Sequence, residues 1–502
     1  MQTLLEGVQN GSKALKLGSY KAIEYICETV VSQICSRSYY QEPEHLSANS
    51  NLILNAVVQG MQQSQQDDDI KVAAISTLYS GLSFVRDNME REGERNFIMQ
   101  VVCESTQHHN PKVQVPAYSC LVRIMQLYYE KMKFYMEKAL FGLTVMGMRS
   151  SNPDVATQAV EFWSSVCEEE LDITSEIAEA LEMGEQPERE NYNFAKTALM
   201  EVLPQILLLL FRQEEDDDDE WTVANSAAAA VALFAQIAEN AVLGPVLQFV
   251  EANIRGELWN AREAAVMAFG SVMDGPDPST LQPLVAQAFP VLIAMLGDPS
   301  SAVRESTSWA LARATELVPK GFQPDTHLRP LMEGLVATLR DSRNNTIQNC
   351  AWTIQNICGV VGATKPSDTS TPLGPYYEPL VTELMAVTQR YIVSILPANC
   401  RTDAELQGGR NACWEAICKL TEESGLDSIN SVQNLTKIAL DRLEASIAMR
   451  KQAVGMDDRL IAEEQQVQLC AVLNVYPKQD LSKSHRAVFD ESVRRQDLWR
   501  IA

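Results

Sequence analysis

Residues 300–314, SSAVRESTSWALARA, decide how this chain folds. The segment follows the polar corner Asp298-Pro299 and then runs apolar at helical spacing, the pattern of a helix with one buried stripe. The same shape recurs at DIKVAAISTLYSGL (69–82), PKVQVPAYSCLVRI (111–124), NPDVATQAVEFWSSV (152–166), EWTVANSAAAAVALF (220–234), LWNAREAAVMAFGSV (258–272) and NNTIQNCAWTIQNI (344–357). Equivalent positions are Ile70, Val113, Val155, Val223, Ala261, Val303 and Thr346, so the steps are 43, 42, 68, 38, 42 and 43 residues. A helical period of this length is the mark of a repeat array.

Between corners lies a second helical run, as in ERNFIMQVVCEST, YMEKALFGLTVMGM and LQPLVAQAFPVLIAML, so each period is a pair of antiparallel helices. Asn110-Pro111 and Asn152-Pro153-Asp154 are corners of the same kind, with helix-stop and helix-start residues together. Strand signals are nearly absent. The expected fold is all-α, a solenoid of about ten stacked HEAT helix pairs, because one helix cannot bury its stripe without neighbours. Armadillo repeats would add a third short helix, for which the loops leave little room. The HEAT corner pairing of an Asp with an Arg six residues on occurs at Asp298 and Arg304. The one long step carries about 26 extra residues, assigned to an acidic insertion at 167–192. The array is expected over 1–473, with an acidic loop at 214–220 and long loops at 362–375 and 399–411 rich in turn formers.

Composition narrows the function. Of 502 residues, 46% are hydrophobic, enough for a large core, and the net charge is −25. Forty-one basic residues against 66 acidic ones argue against general nucleic-acid binding and favour a basic protein partner. Eleven scattered cysteines without a CxxC pair read as reduced core residues. His108 and His109 lie in a polar stretch read as a loop, and no metal site is expected. No uncharged apolar run reaches ~18 residues, so no membrane span is expected. No phosphate loop, GxGxxG, HExxH or GxSxG is present; the chain reads as a binding surface, with no catalytic residues and no cofactor.

EGERNFIMQVVCEST, CLVRIMQLYYEKMKFYMEKALFGLTVMGM, VEFWSSVCEEE, AREAAVMAFGSVMDGPDPS and DPSSAVRESTSWALARATELVP resemble the importin beta family of HEAT-repeat nuclear import receptors, its fungal members most of all. The resemblance runs from about residue 50 to about 470. It implies transport of importin-alpha and basic-signal cargo, release by the GTPase Ran, and residence in the cytoplasm, the nucleus and at the nuclear pore. The competing reading is a HEAT scaffold or regulatory subunit with no transport role. Family members are much longer. The chain is expected to lack the N-terminal repeats that hold the GTPase's switch face and to stop before the C-terminal third. Residues 28–46 and the tail 474–502 match the family poorly; the tail is read as disordered or mis-spliced.

The resemblance also implies sites. Glu214, Glu215, Asp216, Asp217, Asp218, Asp219 and Glu220, which stop at Trp221, resemble the family's acidic loop, facing Ran and the basic importin-alpha segment. A basic ligand entering an acid-lined groove meets a focused, salt-screened field. Val58, Phe97, Tyr135 and Leu143, on first helices of three consecutive repeats, match positions that hold the phenylalanines of phenylalanine-glycine nucleoporins. Trp309 and Trp352, 43 residues apart, and Trp414, 62 further on, sit on second helices. Beside Glu305 and Glu415 they are expected to form a ladder of rings for Arg and Lys of the bound segment; the alternative is that they fill the core.

Overall fold

The structure, a computed structural model, describes residues 2–35, 49–62, 65, 67–213, 221–362, 370–394, 403–452 and 456–475. Among the described residues there is no strand, and the principal helices fall in order into ten pairs, from Gln2–Asn10 with Lys13–Cys35 to Ile429–Gln452 with Met456–Val475. The residues divide into two units, 1–255 with 274–276, and 256–273 with 277–502.

Within the first unit the second helices Asp68–Gly81, Pro111–Tyr128, Pro153–Met183 and Val223–Ala238 pack in succession. Within the second, Trp259–Ser271, Ser301–Leu317, Asn344–Gly362, Asp403–Glu422 and Met456–Val475 do the same. Within each unit the core lies between paired helices and between neighbouring pairs. Tyr118, Phe162, Trp163 and Phe234 fill it in the first unit; Phe289, Tyr377 and Trp414 fill it in the second.

The corners carry local chemistry that fixes where helices start. The Asn110 side chain accepts from the Lys112 amide and the Asn152 side chain from the Val155 amide, each satisfying a donor that the first turn leaves open. Farther along, corners are tied to one another. Arg262 grips Asp298 with two hydrogen bonds of 2.7 and 2.8 Å, and one repeat later Arg304 bonds Asp341 at 2.6 Å. The Asp298–Arg304 pairing therefore works between repeats as well as within one: Arg304 also donates to the Asp298 carbonyl at 2.9 Å.

Two expectations need correction. The stretch 167–192 is largely not a separate insertion, because the helix Pro153–Met183 runs straight through its first 17 residues and ends at Gly184, whose φ of 75° is the left-handed stop glycine favours. The chain then folds back. Arg189 bonds Glu169 at 2.9 Å, and the buried Glu170 accepts from the Phe194 and Ala195 amides at the start of the next helix. The loop at 399–411 is helical from Asp403 onward. Gly408 and Gly409 cost helix propensity, ~1 kcal/mol each, but packing against Asn344–Gly362 outweighs it. The loop at 362–375 falls partly on undescribed residues; the helices flanking it end at Gly362 and begin at Gly374. The tail beyond 475 lies outside the described residues.

One stretch, Val223–Asn253, is long and apolar enough to cross a membrane by length and composition. Glu239, with φ 51°, breaks it into two helices, and Val223, Ala224, Ala227, Val231 and Phe234 are buried in the protein's own core.

Candidate functional site

Within each unit second helices pack on like neighbours, so the period leaves a narrow line of positions uncovered in each. Six residues past each corner position stand Ser76, Ser119, Glu161, Ala229, Met267, Trp309 and Trp352. All but Met267 are at least partly exposed. Trp352 is the most open of the candidate tryptophans, 41% exposed.

Trp309 is half-buried and already engaged. Its six-membered ring lies against Gly270, where a Cβ would come within 2.4 Å, so only glycine fits there. The Arg313 guanidinium lies over the ring at 5.5 Å, held by a 3.0 Å bond to the Gly270 carbonyl. This ring therefore takes a guanidinium within the chain itself.

Trp414 is a correction. It is 1% exposed and belongs to the core. The strings NCAWTI and ACWEAI align with Trp414 opposite Ala351 and Glu415 opposite Trp352. The place on the line is taken by Glu415, which is exposed. One residue of register moves a helical side chain by about 100°, enough to carry a ring from surface to core.

Charges around the line are largely paired. Glu305 accepts from Arg343 at 2.8 Å and from Asn345 at 3.0 Å. One repeat earlier Glu263 is buried and accepts from Ser306 at 3.0 Å. Burial pushes the Glu263 carboxyl up to about 7, with the Ser306 hydrogen bond opposing and Glu305 adding to the rise. Sequence reading missed Glu263 and Arg313. Glu263 could have been found by counting 42 residues back from Glu305.

The run Glu214–Glu220 lies outside the described residues. At its edge Trp221 is exposed and its indole donates to Ser226 at 2.6 Å. The helix begins at Val223, with the Thr222 hydroxyl accepting from the Asn225 amide.

On first helices, Phe97 is 45% exposed, while Val58 and Leu143 are half-buried. Tyr135 is buried, and its hydroxyl donates to Asn96. Phe134, missed by the sequence reading, is 61% exposed and stands edge-on to Tyr135 at 5.4 Å. Met146 is exposed on the same repeat. The surface is apolar, but its exposed residues are only partly those expected.

His108 and His109 do not stand alone. Each approaches Asp68 of the preceding corner at 3.6 Å, so the three groups could together hold a metal ion. The Asn110 amide group donates to Asp68 at 2.8 Å, and the Lys71 ammonium lies 3.2 Å from His108 Nε2. That ammonium occupies the position from which a cation would meet His108.

Known proteins resemble this chain throughout. A family model described as importin subunit beta-1-like, TPR repeats, matches residues 330–487, and a HEAT-like repeat model matches 259–314. Importin subunit beta-1 of Schizosaccharomyces pombe is 42% identical over 475 residues, 94% of this chain and 52% of that protein. That of Saccharomyces cerevisiae is 37% identical over 460 residues, 91% of this chain and 50% of that protein. A structure of the Kap95:Nup1 complex superposes with a TM-score of 0.78 at 35% identity, covering 95% of this chain and 53% of that one. A structure in which Kap95p binding induces the switch loops of RanGDP to adopt the GTP-bound conformation gives 0.79 at 33%, covering 97% and 53%. The similarity extends beyond the expected 50–470. The chain spans about half the length of the curated relatives it matches. Repeat period, helix pairing and sequence identity converge, and the chain belongs to the importin beta family.

Proposed function

We propose that this chain acts in nuclear import as a receptor and not as an enzyme, moving between cytoplasm and nucleus and engaging the nuclear pore. Its second-helix line would take the basic importin-alpha segment. The observation that carries this reading is Trp352, 41% exposed and the most open ring on the second helices from Trp259 to Glu422. The neighbouring second helices carry the partly exposed carboxylates of Glu305 and Glu415, and Trp309 already holds a guanidinium. Arg and Lys side chains of a bound helix would stack on Trp352 while their charges meet these acids. Each such stack contributes roughly 0.5–2 kcal/mol.

The related Kap95 forms a complex with Nup1, and Kap95p acts on RanGDP. By that likeness the first-helix surface around Val58, Phe97, Tyr135 and Leu143 would take nucleoporin phenylalanines, and Glu214–Glu220 would face Ran and the importin-alpha segment. Small apolar anchors give weak, fast-exchanging contacts, as passage through a pore requires.

A pull-down with the importin-alpha basic segment and with Ran-GTP tests the reading. Retention of the basic segment, lost steeply with added salt, is the expected result. Absence of both partners would leave a HEAT scaffold without a transport role. For the first-helix surface, Val58→Asp with Leu143→Asp should abolish nucleoporin-repeat binding while helicity persists; binding that survives would remove these residues from the site.

A further inference from the structure

In the second unit successive corners are tied by a rung of fixed register. The residue after one corner position donates to a carboxylate five residues before the next: Arg262 to Asp298, and Arg304 to Asp341. Each of those carboxylates also accepts from the backbone amide two residues on, that of Ser300 or Arg343. In the first unit the same register holds Lys71 and His108. The rung keeps its outline there. The Lys71 ammonium lies 3.2 Å from His108 Nε2, and the Asn110 backbone amide donates to His108 Nδ1 at 3.2 Å. A carboxylate accepts from both sides. A neutral imidazole has one lone pair for two donors, so one of them goes unmet.

The carboxylate that this rung lacks stands beside it. Asp68, the first residue of the helix Asp68–Gly81, approaches both His108 Nε2 and His109 Nε2 at 3.6 Å, and one ligand atom from each of the three residues lies within 4.8 Å of the others. Ligands about 2.0–2.1 Å from a tetrahedral zinc stand about 3.4 Å apart. Asp68 is therefore close to that spacing from both rings, and the His109 side chain, 81% exposed, has room to close the rest. The Asn110 side-chain amide donates to Asp68 Oδ2 at 2.8 Å and orients the carboxylate.

We propose that Asp68, His108 and His109 form a site for one zinc-class divalent ion, which bridges the second and third helix pairs in place of the Lys71 ammonium. The site stands apart from the transport reading. One carboxylate oxygen and two imidazole nitrogens suit zinc, nickel or cobalt, and not calcium or magnesium. Water completes the fourth position. The ion mends the rung, because two imidazoles and a carboxylate all meet it with lone pairs. Binding turns the half-buried Lys71 out toward solvent on its flexible stem. It also moves the His108 proton from Nε2 to Nδ1, at the cost of the bond from the Asn110 amide. The affinity is therefore below that of a four-ligand structural site.

The test is calorimetric titration of the full chain with zinc in a non-chelating buffer, with X-ray absorption on the loaded protein. One ion per chain should bind, with nitrogen and oxygen at about 2.0–2.1 Å and no sulfur at about 2.3 Å. Asp68→Asn and His109→Ala should each weaken binding at least about tenfold. Lys71→Met, which removes the competing ammonium, should tighten it at least about fivefold, the factor by which like charges about 4 Å apart repel in bulk water. A variant that merely disturbed the corner would not gain affinity. Calcium and magnesium at the same concentration should not compete. Unchanged zinc affinity in Lys71→Met, or in both ligand variants, overturns the site. Sulfur around the ion, or no binding at all, overturns it as well.

Discussion

The second helices from Trp259 to Glu422 and the first helices from Ser50 to Met148 follow one repeat plan, yet they present opposite chemistry. The former show a line of one side chain per repeat, rimmed by charges that are mostly paired: Arg262 with Asp298, Arg304 with Asp341, Arg343 with Glu305. The latter show uncharged apolar groups, Phe97, Phe134 and Met146, standing free of the core. The difference follows from packing. A second helix is flanked by like helices and keeps only a strip for solvent, so a single register place decides between surface and core. Trp352 and Trp414 show how sharp that decision is.

Substitutions can break this contrast, and the largest effect should come from Trp414. Trp414→Ala empties a fully buried site and should cost about 3–5 kcal/mol, read by chemical denaturation. Loss of under 1 kcal/mol would return Trp414 to the surface line.

Next comes the corner ladder. Asp298→Ala removes the carboxylate from Arg262, leaving it only the Gly256 and Glu257 carbonyls, and should cost about 2–3 kcal/mol. Burial alone would raise the Asp298 carboxyl, but the hydrogen bonds from Arg262 and the Ser300 amide outweigh it and hold it below the usual range. A depressed carboxyl contributes stability above its unfolded value, and that stability is lost as pH falls through the lower, folded value. Melting curves of the parent should therefore fall below about pH 4, and those of the variant should fall less.

Glu263 has the opposite sign. Its carboxyl is raised from the ordinary 4.5 to about 7, so the folded chain holds a proton that the unfolded chain releases. Stability should decline as pH rises between these values, by about 3 kcal/mol in all, and Glu263→Gln should lack that decline. Parallel pH profiles would show that Glu263 is not held this way. The smallest effect belongs to the first-helix surface. Phe97→Ser should change stability by about 0.5 kcal/mol or less while weakening nucleoporin-repeat binding. A large fall in stability would mean that Phe97 is core.

The fold was legible because its signals are local. Asn110 and Asn152 cap helices where the 42-residue rhythm places corners, and the apolar spacing between them needs no distant contact to be read. The errors arose where tertiary packing overrides composition. Gly408 and Gly409 look like a turn, but their helix is held by its neighbour. Gly184, and not the acids before it, ends the long helix. At the candidate site, Trp309 and Trp352 keep register because no long loop lies between them. Trp414 lies across one, and a spacing of 62 where 63 was needed turned it inward. Whether a glutamate has both oxygens engaged, as Glu305 does and Glu263 does not, depends on side chains from the next repeat.

The central claim is that the exposed strip of second helices that carries Trp352 receives a basic segment. Its most direct test is the affinity of Trp352→Ala for the importin-alpha basic peptide, measured by fluorescence anisotropy beside a thermal melt. The account predicts binding weakened roughly two- to thirtyfold with the melting temperature nearly unchanged. Parental affinity in the variant would contradict it.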